Sequence, residues 1–275
     1  MSTILKRPAT DGTIVVTPES AGWTYVGFEA VDLAPGATVT YETGARETCV
    51  VVISGTVHVR SEHGDWTDLG GRKDPFSGPP EGAYFPPGST YLVEAASSGP
   101  AEIGLCHAPA SKGTAARALR SAEVSRRGYD VHERIVGNVM MANEDAERLL
   151  VTEVVTPSGH WSSYPPHKHD VDALPAESYL EETYYHRVMP ATGFGLQRVY
   201  TDDRSLDETV AFADRDVVLV PRGYHTVAAP PGVAVYYLNV MAGPSREWAF
   251  TDDPALAWTR AEGATLDGRL GPSTS

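Results

Sequence analysis

The chain has 275 residues, 41% of them hydrophobic, and a formal charge of −14 from 22 Lys and Arg against 36 Asp and Glu. Such a chain can bury a large core and is not intrinsically disordered, and its acidity argues against nucleic acid or an anionic membrane as partner. Cys49 and Cys106 are too few for a disulfide framework, and no apolar run resembles an export signal or a membrane span, so a cytoplasmic, reduced setting is expected.

In chain order, Val50–Ile53, Thr56–Val59, Leu149–Val155, Asp216–Val220 and Val233–Val240 are β-branched or aromatic runs bounded by turn residues. They predict an all-β sandwich or barrel. Between the strand-rich regions, Gly113–Arg120 and Asn143–Arg148 read as helix-prone. The expected organisation is an N-terminal domain over 1–108, a linker over 109–131 and a C-terminal domain over 132–275. The halves echo one another: Glu47-Thr-Cys-Val-Val-Val-Ile-Ser-Gly55 and Tyr84-Phe-Pro-Pro-Gly-Ser-Thr-Tyr91 answer to Glu182-Thr-Tyr-Tyr-His186 and Val220-Pro-Arg-Gly-Tyr-His225, as in a duplicated β-domain.

The run Ser163-Tyr-Pro-Pro-His-Lys-His-Asp170 carries the most chemistry. On an extended segment His167 and His169 project from one face, because side chains alternate along a strand. Glu182 in Leu180-Glu-Glu-Thr-Tyr-Tyr-His186 and His225, each on its own later strand, complete a three-nitrogen, one-oxygen set suited to zinc, manganese, iron or nickel. A lone His-x-His is usually incidental; the Glu and the Pro-x-Gly-x-His that follow favour a metal. Spacing leaves Glu177, Glu181 and Glu182 open as the carboxylate. Glu182 is preferred because it precedes Thr-Tyr-Tyr-His and shares parity with Tyr184 and His186, so Glu181 should point the other way. His58, His63, His107, His132 and His160 lack ligand spacing and read as surface or core residues.

These motifs resemble the two motifs of cupin domains, and their repetition implies a bicupin of two antiparallel β-barrels. Two departures from the usual cupin pattern are the long stretch between His169 and Glu182 and the single residue, Tyr224, between Gly223 and His225. More specifically, Gly159-His-Trp-Ser-Ser-Tyr-Pro-Pro-His-Lys-His-Asp170, Glu177-Ser-Tyr-Leu-Glu-Glu-Thr-Tyr-Tyr-His-Arg187, Gln197-Arg-Val-Tyr-Thr-Asp-Asp-Arg-Ser-Leu-Asp-Glu-Thr209 and Leu238-Asn-Val-Met-Ala-Gly-Pro244 closely resemble the 5-deoxy-glucuronate isomerase family of bacterial myo-inositol catabolism, with a looser likeness through the N-terminal half.

That resemblance implies conversion of an aldose, 5-deoxy-D-glucuronate, to the ketose 5-dehydro-2-deoxy-D-gluconate. A divalent ion, zinc or manganese, on His167, His169, Glu182 and His225 would polarise the carbonyl and stabilise an enediolate. The proton carrier stays open among Glu182, His186, Tyr184 and a metal-bound hydroxide. The substrate carboxylate needs a cation, for which Lys168, Arg187, Arg198 and Arg222 are candidates; parity ranks Arg198 and Arg222 first. In the N-terminal copy, Thr43-Gly-Ala-Arg46 precedes Glu47 where His-x-His would stand and Tyr91 ends the later turn, so packing and dimer formation are expected there instead of metal. A small uronate is the expected partner and a homodimer is possible. Competing readings are a 5-keto-4-deoxyuronate isomerase of pectin breakdown, a cupin dioxygenase and a sugar-sensing cupin, the last lacking any basic or helix-turn-helix-like segment.

Overall fold

The computed structural model describes residues 2–120 and 122–261, which are nearly all strand. Among them no helix is long and apolar enough to cross a membrane. The N-terminal half is organised by the 16-residue strand Arg46–Ser61. Its first part pairs with Glu81–Phe85 and Ala101–Pro109, its second with Gly64–Arg72 and Thr90–Ala95. The change of partners occurs at Gly55, where φ is +79° and an added Cβ would lie 2.3 Å from the Pro100 carbonyl oxygen, so only glycine fits. Val50, Val52, Val57, Phe85, Tyr91 and Leu105 fill the interior.

In the C-terminal half a seven-stranded sheet, with Leu150–Thr156, Ala234–Ala242 and Glu181–Met189 as successive central strands, is accompanied by a five-stranded sheet that includes Gly195–Tyr200, Tyr224–Ala228 and Trp161–Lys168. Tyr184 and Val188 enter this half's own core. Tyr185, one position out of phase, joins Phe28, Cys49, Val51, Leu238 and Val240 in a core shared by the two halves. Both faces of the central strands are therefore buried, which is why they read as continuous apolar runs instead of alternating ones.

The chain crosses the expected boundaries. Leu5–Lys6 pairs with Val217–Val220 and so extends the C-terminal sheet. Within 109–131, Arg117–Leu119 pairs with Glu81–Phe85 in one half, and Glu123–Arg127 pairs with Arg134–Met140 in the other. The helix expected over Gly113–Arg120 is thus a strand in its last part, and Asn143–Arg148 forms no helix. The physical reason is tertiary: the backbone of Arg117–Leu119 is taken up by pairing with Glu81–Phe85, and the Glu47 carboxylate captures the N–H groups of Glu147, Arg148 and Leu149, the first two of which a helix over Asn143–Arg148 would need.

Register also corrects the internal echo. Thr48 pairs with Phe85, just before Pro86, as Glu182 pairs with Val220, just before Pro221. The counterpart of Glu182 is therefore Thr48, and Glu47 corresponds to Glu181. These two glutamates do the same structural work in opposite directions, since the Glu181 carboxylate accepts the backbone N–H groups of Thr24, Tyr25 and Val26 from the other half.

Candidate metal centre

Alternation along the strand Trp161–Lys168 and its continuation sends His167 and His169 inward, while Lys168 turns away to bind Asp170 Oδ1 at 2.7 Å and Glu177 Oε1 at 3.0 Å. His225 is brought beside them because Tyr224–Ala228 pairs antiparallel with that strand, His225 opposite His167. Ring nitrogens of the three histidines lie within 4.8 Å of one another. Glu182 arrives from the facing sheet, its Oε2 lying 3.2 Å from His169 Nε2 and 3.1 Å from His225 Nε2. All four side chains are buried.

The tautomers are set from behind. His169 Nδ1 lies 3.0 Å from the Leu180 carbonyl, His225 Nδ1 3.1 Å from that of Gly223 and His167 Nδ1 3.4 Å from that of Pro165. A ring that donates through Nδ1 keeps its lone pair on Nε2, the arrangement typical of metal-bound histidines. His225 Nε2 makes no hydrogen bond despite its proximity to Glu182. Several nitrogen lone pairs and a carboxylate converging in a buried space call for a shared cation, and the donor set suits a divalent metal. Burial opposes ionisation of Glu182, but His225 and His169 outweigh it and hold its carboxyl well below the usual range. Its other oxygen accepts a hydrogen bond from Asn239 Nδ2.

His167 opens onto a cavity of about 330 Å³ lined also by Arg127, Tyr129, Arg134, Trp248 and Arg260, among others. It shares Arg127, Arg134, His167 and Trp248 with a narrower recess of about 90 Å³ that reaches Glu182, Tyr184, Tyr237 and Asn239. In that recess Ser163 Oγ lies 3.3 Å from both the Tyr184 and Tyr237 hydroxyls. Burial pushes both phenols above their usual range, so they stay protonated.

Several expected residues are elsewhere. Glu177 pairs with Lys168 and accepts the amides of Asp170 and Val171. Arg198 points outward to Asp207 Oδ2 at 2.9 Å, and Arg222 is exposed near Ser205. Arg187 crosses to Glu102 of the N-terminal half and to Asp214. None of these, nor Lys168, lines the cavity. His186 has the expected parity but lies deeper, stacked on Phe212 with ring centroids 3.5 Å apart and its Nε2 2.9 Å from Gln197 Oε1. Asn239, Tyr237, Ser163, Arg127 and Arg134 were not singled out from sequence. A lone Asn within the apolar strand Ala234–Ala242 was a usable signal, whereas Arg127 and Arg134 sat in or next to the presumed linker.

The placement of His186 has a pH consequence. Burial lowers its pKa from 6.5 to about 3, and does the same to His107, whose Nδ1 lies 3.0 Å from Thr48 Oγ1. Both are therefore neutral in the fold above about pH 3, while the unfolded chain takes up protons below 6.5; the unfolded state binds more protons in that window, so stability falls as pH drops through it. Each group adds up to about 1.4 kcal/mol per pH unit to the slope. His186→Gln is expected to flatten the slope of unfolding free energy between about pH 6 and 4.5 by up to that amount in urea melts of chelated protein; an unchanged slope would contradict the assignment.

The profile of the KduI/IolB family matches residues 4–259. A protein named 5-deoxy-glucuronate isomerase from Geobacillus kaustophilus (strain HTA426) is 50% identical over 255 residues, 91% of this chain and 92% of that one. Its namesake in Bacillus subtilis (strain 168) is 41% identical over 269 residues, 94% of this chain and 98% of that one. The crystal structure of an IolB-like protein from Salmonella typhimurium LT2 is similar with a TM-score of 0.90 at 41% identity, over 94% of this chain and 99% of that one. An oxalate decarboxylase of Bacillus subtilis reaches a TM-score of 0.62 at 13% identity over 87% of this chain and 74% of that one, a likeness of fold alone.

Proposed function

The chain belongs to the KduI/IolB family, and from that premise we propose that it interconverts 5-deoxy-D-glucuronate and 5-dehydro-2-deoxy-D-gluconate as an aldose–ketose isomerase at a divalent metal held by His167, His169, Glu182 and His225. The observation that carries the reading is the cluster of three buried imidazoles, each backed at Nδ1 by a carbonyl, with the Glu182 carboxylate against two of them, in a chain 50% identical to an isomerase of that name. Zinc and manganese fit this donor set. A bound divalent ion supplies Lewis-acid charge for the carbonyl oxygen and for the enediolate charge that develops as the neighbouring carbon loses its proton.

The reaction moves one proton between adjacent carbons and one between their oxygens, with no net redox change and no organic cofactor. Glu182 is the carboxylate lining this space among the described residues, and we take it as the group that carries the carbon-bound proton. The Tyr184 and Tyr237 hydroxyls, held protonated and tied through Ser163, suit donation to the substrate oxygens. Trp248, Met241, Val136 and Val154 form an apolar part of the recess wall, which limits the water that could protonate the enediolate at random. The N-terminal barrel has Thr48 and Tyr91 where a ligand set would stand, with Tyr91 stacked on Phe85 at 4.1 Å, and we read it as a packing domain without metal. A cytoplasmic place in inositol breakdown, and a homodimer, belong to the same reading.

Proton NMR of the purified protein with 5-deoxy-glucuronate under anaerobic conditions tests it. Conversion that stops on chelation and returns with zinc or manganese is expected. Turnover of 5-keto-4-deoxyuronate in its place would move the protein to pectin breakdown, and inertness toward both would defeat the isomerase reading.

A further inference from the structure

We propose that Arg127 and Arg134 form an anion clamp that holds the carboxylate end of the sugar acid while its carbonyl end reaches the histidine centre; the identity of the acid rests on the isomerase reading above. The two arginines stand directly opposite each other where Glu123–Arg127 pairs antiparallel with Arg134–Met140. Like charges at directly opposed positions repel, an arrangement that is destabilising unless an anion lies between them. Both side chains line the same cavity as His167, and both continue into the recess of Glu182.

Their lack of a carboxylate partner separates them from their neighbours. Arg126 reaches Glu133 at 2.6 Å, Arg198 reaches Asp207 at 2.9 Å, and Arg260 at the same cavity is paired with Asp252. Among the described residues Arg127 and Arg134 have no acidic group within 4.0 Å, although Asp and Glu outnumber Lys and Arg by 36 to 22 in the chain. Their polar contacts are weak and neutral. Arg134 Nη1 lies 3.3 Å from the His132 carbonyl, Arg127 Nη2 3.3 Å from Asn138 Oδ1, and Arg127 Nε 3.2 Å from Ser125 Oγ. Arg134 is partly buried, which strengthens an ion pair made there, and two planar guanidiniums match the geometry of a carboxylate. The two ends of a small hydroxy-acid would then be told apart by charge, with the carboxylate kept off the metal ligands.

The test uses full-length, metal-loaded protein and the variants Arg127→Gln, Arg134→Gln and Arg134→Lys. Loss of one charge-assisted contact is expected to raise KM for 5-deoxy-glucuronate about ten- to a hundredfold with little change in kcat, bound metal or melting temperature. Arg134→Lys should recover part of the loss. Inhibition by the neutral analogue bearing a hydroxymethyl group in place of the carboxylate should stay unchanged. KM unaltered in both glutamine variants, or equal weakening of the acid and its neutral analogue, would overturn the clamp. If the wild-type protein fails to turn over the uronate, the isomerase reading falls, and calorimetric binding of the uronate to wild type against the variants still decides whether the arginines hold its carboxylate.

Discussion

Replacing His225 by alanine is expected to remove bound metal and turnover together, with a loss in kcat/KM of roughly a thousandfold or more. His225 is fully buried, faces His167 across the strand pair and brings its Nε2 to 3.1 Å from Glu182 Oε2, so no neighbouring group can take its place without backbone movement. Metal content by elemental analysis and turnover by NMR measure the two effects. A thermal melt adds an independent check, because a ligand that binds only the folded state stabilises it by mass action. Metal-loaded wild type should melt above His225→Ala, and the gap should shrink after both are chelated. A variant that keeps full activity without metal would rule out the centre described here.

The second large effect falls outside the metal site. Glu47→Ala is expected to destabilise the fold by about 3–5 kcal/mol, at the upper end for a single substitution, while leaving metal content unchanged. The Glu47 carboxylate accepts the N–H groups of Glu147, Arg148 and Leu149 at 2.8, 2.6 and 2.7 Å and the Tyr84 hydroxyl at 2.6 Å. Alanine leaves those donors without their acceptor at the seam between the halves, and each buried orphan costs about 1–3 kcal/mol before relaxation and water entry. At about 2–4 °C per kcal/mol for a chain of this size, the melting temperature should fall by about 10 °C. Glu181→Gln should behave similarly, whereas Glu182→Gln should lose metal. Metal loss in Glu47→Ala with an unchanged melting temperature would mean that Glu47 is a ligand after all.

Residue type and parity carried the centre a long way. His167 and His169 share a face because side chains alternate, and the choice of Glu182 over Glu181 agrees with the observed contacts, since Glu182 meets two of the histidines while Glu181 binds the amides of Thr24–Val26. The same rule failed for His186 and for Glu47. Parity says which face a side chain leaves, not how far along the barrel it lies, so His186 ended two residues deeper than Tyr184, against Phe212. For Glu47, the interval to Pro86 equals that from Glu182 to Pro221, so the sequence hides that Thr48 and not Glu47 pairs with the residue before the proline, and a slip of one residue reverses every side chain.

The sequence by itself determined the β class and the two-fold repeat and brought forward the three histidines and the glutamate as a candidate set, because these depend on local periodicity and on the few side-chain types suited to a divalent ion. Only the tertiary structure decided what surrounds them. Asn239 behind Glu182 and the paired phenols of Tyr184 and Tyr237 come from strands far apart in the chain that sheet pairing makes neighbours, while Arg127 and Arg134, on consecutive strands, are set opposite each other by the register of their pairing. The helix-prone stretch near residue 115 shows the same limit from the other side: its intrinsic preference, a few tenths of a kcal/mol per residue, yielded to strand pairing with Glu81–Phe85.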